Sequence, residues 1–431
     1  MVNDQWNHER QPLLPKGPLP ETVKSETTSK NRAIIIGVVA VLAVIGVTTS
    51  THSIQEQPQN PALTSSELDE FTPSSNTANT FVTLGDWGGA TLGSYYLTDV
   101  NAVAKTMANT ASLQNSQFVV NVGDSFYWCG IQDTSDTQIK STFEDPFAYD
   151  SLQVPWYSVL GNHEYGYNVD AVVDYAKVNS NWIMDDRYYT RRVEIGTTGS
   201  YISFIFLDTN TCVSAYRSES SEGWDPCGVE FPTCSITQGD DDYEGECSFH
   251  ENIISQDCTT QYTWFKEALD AVDSSDWLIV VGHHPIDELD VEDFTSLLQA
   301  YPFDLYLNGH THTLAQYTID HSGAYVTSGA GSLVPIDDEV EEAEEKDPLR
   351  KAKLAGGTWT TPQTKSLNVD GQVKSHSYET VFNEKVAGFN LHTFSDDLQT
   401  LTTAFVDYQG NTIHSFSSVK GQVDIHTTYL D

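Results

Sequence analysis

Basic residues are scarce in this 431-residue chain. Lysine and arginine number 21 against 61 acidic residues, for a formal net charge of −40 and a pI near 4.3. No basic patch stands out, which excludes nucleic acid as a partner. So large a carboxylate excess repels itself at neutral pH and relaxes in acid. It suits an acidic lumen or a salty exterior, and equally a solvated acidic surface; both readings stay open. There is no Asn-x-Ser/Thr sequon anywhere in the chain and no internal repeat. No cysteine precedes Cys129, and the six cysteines follow no usual zinc-knuckle spacing. Between Ala33 and Ala104 there is no lysine or arginine.

That last absence gives the amino-terminal region an orientation. Residues 1–32 are polar and contain proline, the composition of a disordered tail. Residues 33–49 are apolar or small and carry no charge, and at the helical rise they reach roughly 25 Å, enough to cross a thin bilayer. Lys30 and Arg32 precede the run, while Glu56, Glu67, Asp69 and Glu70 follow it. The positive-inside rule then places the tail in the cytosol and the rest in a lumen or outside the cell. The run is read as an uncleaved signal anchor of a single-pass type II transmembrane protein. The competing reading is a cleaved signal peptide, against which stand the long leader and the lack of a small-x-small site. Residues 50–79, rich in Ser, Thr, Pro, Asn and Gln, read as a flexible stem. Residues 80–431 are long enough for a sizeable core.

Five stretches of this large segment share one grammar. Each is an apolar run that stops at a glycine followed by an Asp, Asn or His. They are Phe81–Leu84 into Gly85-Asp86, Phe118–Val122 into Gly123-Asp124, and Tyr157–Leu160 into Gly161-Asn162-His163-Glu164. Leu278–Val281 runs into Gly282-His283-His284-Pro285, and Leu305–Asn308 into Gly309-His310-Thr311-His312. Buried strands are expected to deliver these residues to a shared crevice at their carboxyl ends. Oxygen and imidazole donors in that pattern suit iron, zinc or manganese. Helices are expected from Asp99 to Leu113 and around Thr263–Leu269, and strands over Tyr201–Leu207, Gly388–Thr393 and Leu401–Val406. The charged run Asp337–Lys353 reads as a solvated loop. Alternating β and α elements followed by strands point to sheets covered by helices, an α/β class.

All six cysteines follow the apolar run, and five of them (Cys212, Cys227, Cys234, Cys247 and Cys258) fall within residues 212–258. An even number in an oxidising compartment reads as disulfides, in any of 15 pairings. The Cys-rich stretch is expected to be a stapled surface loop, with Cys129 a candidate for attachment to it.

The ordered set Gly-Asp-Trp-Gly-Gly, Gly-Asp-x-Phe-Tyr, Gly-Asn-His-Glu, Gly-His-His-Pro and Gly-His-x-His resembles the calcineurin-like metallophosphoesterases. Tyr127, three residues after Asp124, narrows the resemblance to the purple acid phosphatases. Leu207-Asp208-Thr209 and Ser328-Gly329-Ala330-Gly331 make it similar to their small, tartrate-resistant mammalian type. The resemblance spans roughly residues 80–420 and implies a four-layer αββα sandwich of two mixed β-sheets flanked by helices. By that resemblance Asp86, Tyr127 and His312 hold a ferric ion, Fe(3+). Asn162, His283 and His310 hold a second divalent metal (Fe2+, Zn2+ or Mn2+), and Asp124 bridges the two. His163 is the catalytic residue that hydrogen-bonds the substrate or leaving oxygen. The implied activity is an acid phosphatase, a hydrolase of phosphate monoesters acting by attack of a metal-bound hydroxide, with a small phosphate ester or a phosphoprotein as substrate.

The alternatives from the same residues are a phosphodiesterase or pyrophosphatase with two divalent ions, and a non-catalytic type II receptor on the same scaffold. One departure stands out. The family carries a second histidine some ten residues after its Gly-His-x-Pro stretch, and residues 286–292 contain none. Asp287 and Glu288 are the candidates to replace it as proton donor. The 212–258 loop falls where mammalian-type relatives cover the site, so it is expected to gate access. Glu9, Leu13 and Leu14 resemble an acidic dileucine signal read by sorting adaptors, which implies a lysosome, vacuole or endosome, with the cell surface or secretion as the other destinations.

Overall fold

The computed structural model describes residues 79–91, 94–196, 199–218, 247–332, 334, 364–369 and 372–421. The chain divides into two units, 1–70 and 71–431, and all described residues belong to the second. The expected tail, the apolar run 33–49 and all but the last residue of the stem lie outside the described residues, as do residues 219–246 of the Cys-rich loop and the charged run 337–353. No helix among the described residues is long and apolar enough to cross a membrane.

Among the described residues fifteen strands run in chain order as β1 Thr80–Leu84, β2 Val119–Asn121, β3 Trp156–Ser158, β4 Trp182–Ile183, β5 Tyr189–Ile195, β6 Ser200–Phe206, β7 Trp277–Val281, β8 Leu305–Asn308, β9 Leu314–Ile319, β10 Ser322–Ser328, β11 Thr364–Val369, β12 Gln372–Glu384, β13 Gly388–Phe394, β14 Thr400–Asp407 and β15 Thr412–Val419. They form two mixed sheets, ordered β15-β14-β13-β1-β2-β3-β4 and β11-β12-β9-β10-β8-β7-β6-β5. In the first, β1 to β4 are parallel and β13 joins β1 antiparallel. In the second, β6, β7, β8 and β10 are parallel.

The period of two in a strand explains the layers. On β7, Trp277, Ile279 and Val281 point into the large core shared with Phe81, Phe118 and Phe394 of the first sheet, while Leu278 and Val280 point the other way. Those outward residues meet Phe265 and Leu269 of the helix Cys258–Asp270. Phe204 of β6 meets Phe81 edge-on with ring centroids 6.2 Å apart, so the two sheets are in direct contact. The helix Ser94–Gln114 covers the outer face of the first sheet with a stripe of Val100, Val103, Ala104, Met107 and Ala111, the spacing of one helical face. The result is helix, sheet, sheet, helix.

Both expected helices form but are longer than read: the first begins at Ser94 and the second spans Cys258–Asp270. Asp257 caps the second, accepting the N–H groups of Thr259 and Thr260, a capping arrangement that moves its start upstream of the apolar period. Cys212 and Cys258 form a disulfide across 46 residues, which excludes a zinc knuckle for these two. Cys129 and Cys247 are also disulfide-bonded.

Candidate metal centre

The parallel strands β1, β2 and β3 of the first sheet and the parallel pair β7 and β8 of the second each end in one of the glycine-led loops. Side chains there meet because their backbones are bent to do so. Asp86, Asp124, His310 and His312 have φ of 59°, 55°, 73° and 53°. Left-handed backbone outside glycine is uncommon and gathers at functional sites, where the surrounding structure holds it. The glycines have a different task, close approach. A Cβ on Gly161 would lie 2.2 Å from Asp124 Oδ1, and one on Gly309 would lie 2.4 Å from Asp86 Oδ2.

The predicted site residues fall into two adjoining groups. In one, Tyr127 Oη lies 3.0 Å from His312 Nε2 and 3.4 Å from Asp86 Oδ1, and His312 Nε2 is 3.4 Å from Asp86 Oδ1. In the other, Asn162 Oδ1 is 2.9 Å from His283 Nε2 and 3.0 Å from His310 Nδ1. Asp124 lies between them: its Oδ2 is 3.5 Å from His283 Nε2, and ligand atoms of Asp86, Asp124 and His283 all fall within 4.8 Å of one another.

These donors fit a cation. His283 Nδ1 faces the carbonyl of Val122 at 2.7 Å, so Nδ1 carries a proton and Nε2, facing the oxygens of Asn162 and Asp124, is the nitrogen that would give its lone pair to a cation there. Burial pulls the His283 pKa down, but the carboxylates of Asp124 and Asp86 override it and raise it to about 9. The site thus demands positive charge. Tyr127 has the opposite response to the same carboxylates. Burial, then Asp86 and Asp124, push its phenol well above the usual range, so a tyrosinate here requires a cation beside it.

His163 is fully buried, and its backbone N–H donates to Asp124 Oδ1 at 3.0 Å. Its Nδ1 lies 2.6 Å from the carbonyl of Trp128, so Nδ1 is the donor and Nε2 points toward Asp124 Oδ2, 3.8 Å away. Its ring packs against Tyr127 with centroids 4.3 Å apart.

Three further residues take part that lie inside the quoted motifs but carry no site role there. Glu164 accepts N–H groups of Gly161, Asp124, Ser125 and Phe126 at 2.6 to 3.0 Å. Burial, then Asp124, raise its pKa to about 7 against those bonds. Thr209 Oγ1 accepts the backbone N–H groups of His283 and His284. His284, which the sequence leaves without a role, is buried with its ring nitrogens 2.8 Å from Thr209 Oγ1 and 3.0 Å from Tyr216 Oη, and its atoms group with His283 and His310. The motifs Gly-Asn-His-Glu, Gly-His-His-Pro and Leu207-Asp208-Thr209 mark these three residues without assigning them a role. Of the two acidic candidates for the missing histidine, Asp287 is buried within electrostatic reach of Tyr306, Tyr317, Tyr325 and Tyr378. Glu288 instead stands beside His310.

Comparison with known proteins gives the family. Residues 80–314 match the family described as calcineurin-like phosphoesterase. The chain is 31% identical over 264 residues to human tartrate-resistant acid phosphatase type 5, covering 59% of this chain and 73% of that one. It is 26% identical over 363 residues to purple acid phosphatase 4 of Arabidopsis thaliana, covering 81% and 86%. Among solved structures it is similar to GAP50, described as the anchor in the inner membrane complex of Plasmodium. The TM-score is 0.51 with 19% identity, over 80% of this chain and 89% of the other, a likeness of fold alone.

Proposed function

The chain belongs to the calcineurin-like phosphoesterases and, within them, to the purple acid phosphatases, and from that membership we propose that it hydrolyses phosphate monoesters at a ferric–divalent centre. It is a hydrolase of the acid phosphatase kind. The observation that carries the finer reading is the approach of His283 Nε2 and His310 Nδ1 to Asn162 Oδ1, each within 3.0 Å of it, beside the group of Asp86, Tyr127 and His312.

Asp86, Tyr127 and His312 would hold the trivalent ion, because carboxylate and phenolate are hard anionic donors. Asn162, His283 and His310 are neutral donors and would hold the divalent one, with Asp124 shared. Such a pair, when bound, supplies Lewis-acid polarisation of the phosphoryl group and a nucleophile at acid pH. Two aspartates and one tyrosinate offset three of the five positive charges, so the pocket keeps an attraction for a phosphate dianion in spite of the acidic surface. His163 is held by Trp128 and Asp124 so that Nε2 faces the centre, where it would hydrogen-bond the phosphoryl or leaving oxygen. Glu164 and Thr209 fix the loops that carry the ligands.

The substrate would be a small phosphate ester or a phosphoprotein. Disulfides support an oxidising compartment, lumenal or extracellular. Anchoring by residues 33–49 and adaptor sorting through Glu9, Leu13 and Leu14 belong to the same proposal. Replacing Asp124 by Asn together with Asn162 by Ala should abolish both turnover and metal uptake; activity surviving in that variant would refute the ligand assignment.

A further inference from the structure

His310 is held from several sides. Its backbone N–H donates to Asp86 Oδ2 at 2.9 Å. Its ring packs against His284 with centroids 4.3 Å apart and meets His283 edge-on at 5.1 Å. One ring nitrogen, Nδ1, faces Asn162 Oδ1. The other, Nε2, faces Glu288 Oε2 at 3.7 Å. Glu288 is not a loosely placed surface acid. Its side chain is 11% exposed, and it ends the 3-10 turn Ile286–Glu288, with its N–H donating to the carbonyl of Pro285 at 2.9 Å. Ile286 and Leu289, on either side, are buried in the outer core. The turn follows directly on the loop of His283, so one short segment supplies both a predicted ligand and the acid that faces another.

The two nitrogens of a neutral imidazole have unequal roles, and the hydrogen bond at one decides which lone pair the other offers. For His310 to give Nδ1 to a metal, the proton must sit on Nε2. A carboxylate near Nε2 stabilises that tautomer, orients the ring and raises its donor strength. At 3.7 Å a small rotation or one bridging water completes the contact.

We propose that Glu288 is a positioning residue for the divalent ion: it holds His310 in the tautomer and rotamer that present Nδ1 to that ion. Glu288 thus does not replace the missing histidine as an acid; it tunes the neighbouring metal site. The inference rests on reading His310 as a ligand of the second ion.

The test is carried out on the full chain with Glu288→Ala and Glu288→Gln. Zinc affinity of the second site is measured by competition with a chelator, iron content and the visible absorption band are followed in parallel, and the His310 tautomer is read from imidazole 15N shifts. Glu288→Ala should weaken zinc binding ten- to a hundredfold, with iron content and the visible band unchanged. Glu288→Gln keeps an acceptor oxygen in place and should restore most of the affinity. Zinc affinity within twofold of wild type in Glu288→Ala would overturn the proposal. So would a parallel loss of iron and zinc in both variants, which would mark a general loss of structure. If the wild-type chain itself takes up no second metal, it is the assignment of His310 as a ligand that fails; an unchanged Glu288→Ala on a two-metal wild type refutes only the role of Glu288.

Discussion

Glu164 Oε2 accepts the backbone N–H of Asp124 at 3.0 Å. Through its two oxygens the same carboxylate holds Gly161, Ser125 and Phe126, so one buried side chain locks the loop after β2 to the loop after β3. Removing it leaves four buried donors without their acceptor, and each that stays unpaired costs on the order of 1–3 kcal/mol. Glu164→Ala is therefore expected to lower unfolding stability by roughly 3 kcal/mol or more and to loosen metal binding. A denaturant titration showing a loss below about 1 kcal/mol, within the range of an ordinary surface change, would show the clamp to be dispensable.

The two proposed ions are separable by substitution. Tyr127→Phe removes the phenolate but keeps the ring against His163. It should abolish the visible band of a tyrosinate–iron pair and leave the second metal in place. Asn162→Ala should do the reverse, keeping the band and losing the divalent ion. Metal analysis of the two variants reads the difference, and a common loss of both metals in both would mean that the site forms only as one unit.

Stability should respond to pH through groups far from the centre. His376 Nε2 lies 3.1 Å from Asp293 Oδ1, which also caps the helix Phe294–Gln299, and its Nδ1 lies 2.6 Å from Asp320. Asp293 first, then Asp320, outweigh burial and raise its pKa to about 8. A raised histidine stabilises fully below its unfolded value near 6.5, and that contribution fades as pH rises through 8. It amounts to about 2 kcal/mol. The stability gap between wild type and His376→Ala should narrow from pH 6 to pH 9; a constant gap would contradict the pairing.

His392 works in the other direction. It is fully buried between Thr83 and Thr403, and burial lowers its pKa to about 3. The unfolded chain takes up a proton below about 6.5 that the folded chain refuses until pH 3, so stability from this group is lost as pH falls through that window. Relative to His392→Gln, the wild type should lose stability between pH 6.5 and pH 3, as followed by thermal unfolding.

The Cys212–Cys258 disulfide joins residues 46 positions apart in the sequence. On loop entropy alone its removal costs roughly 4 kcal/mol. The double variant Cys212→Ala, Cys258→Ala should therefore unfold well below the wild type in a thermal scan, by more than a single surface substitution would cause.

The glycine-led loops were readable because buried parallel strands are short apolar runs, and the glycine that ends each one is a sharp punctuation. Tyr201–Leu207 and the strands near the carboxyl end were readable for the same reason. The roles of Glu164, Thr209 and Glu288 were not, although the first two sit in quoted motifs and Glu288 stands there as a candidate proton donor. An acidic residue in a loop reads as a solvated charge, and only the side-by-side placement of strand ends brings four N–H groups to Glu164 or an imidazole to Glu288. The first helix was read short because Asp99, a residue type that favours a helix cap, marked an apparent start, although Tyr96 and Leu97 continue the sequence spacing of Val100 and Val103 upstream of it.

The central claim is tested most directly on the purified full chain, by metal analysis with a visible spectrum alongside p-nitrophenyl phosphate hydrolysis from pH 4 to 8. A purple protein with about one iron and one further metal per chain, turning over on the acid side, is the expected result. A colourless protein with two zinc or manganese ions and a neutral optimum would contradict the ferric assignment and leave Tyr127 without its proposed role.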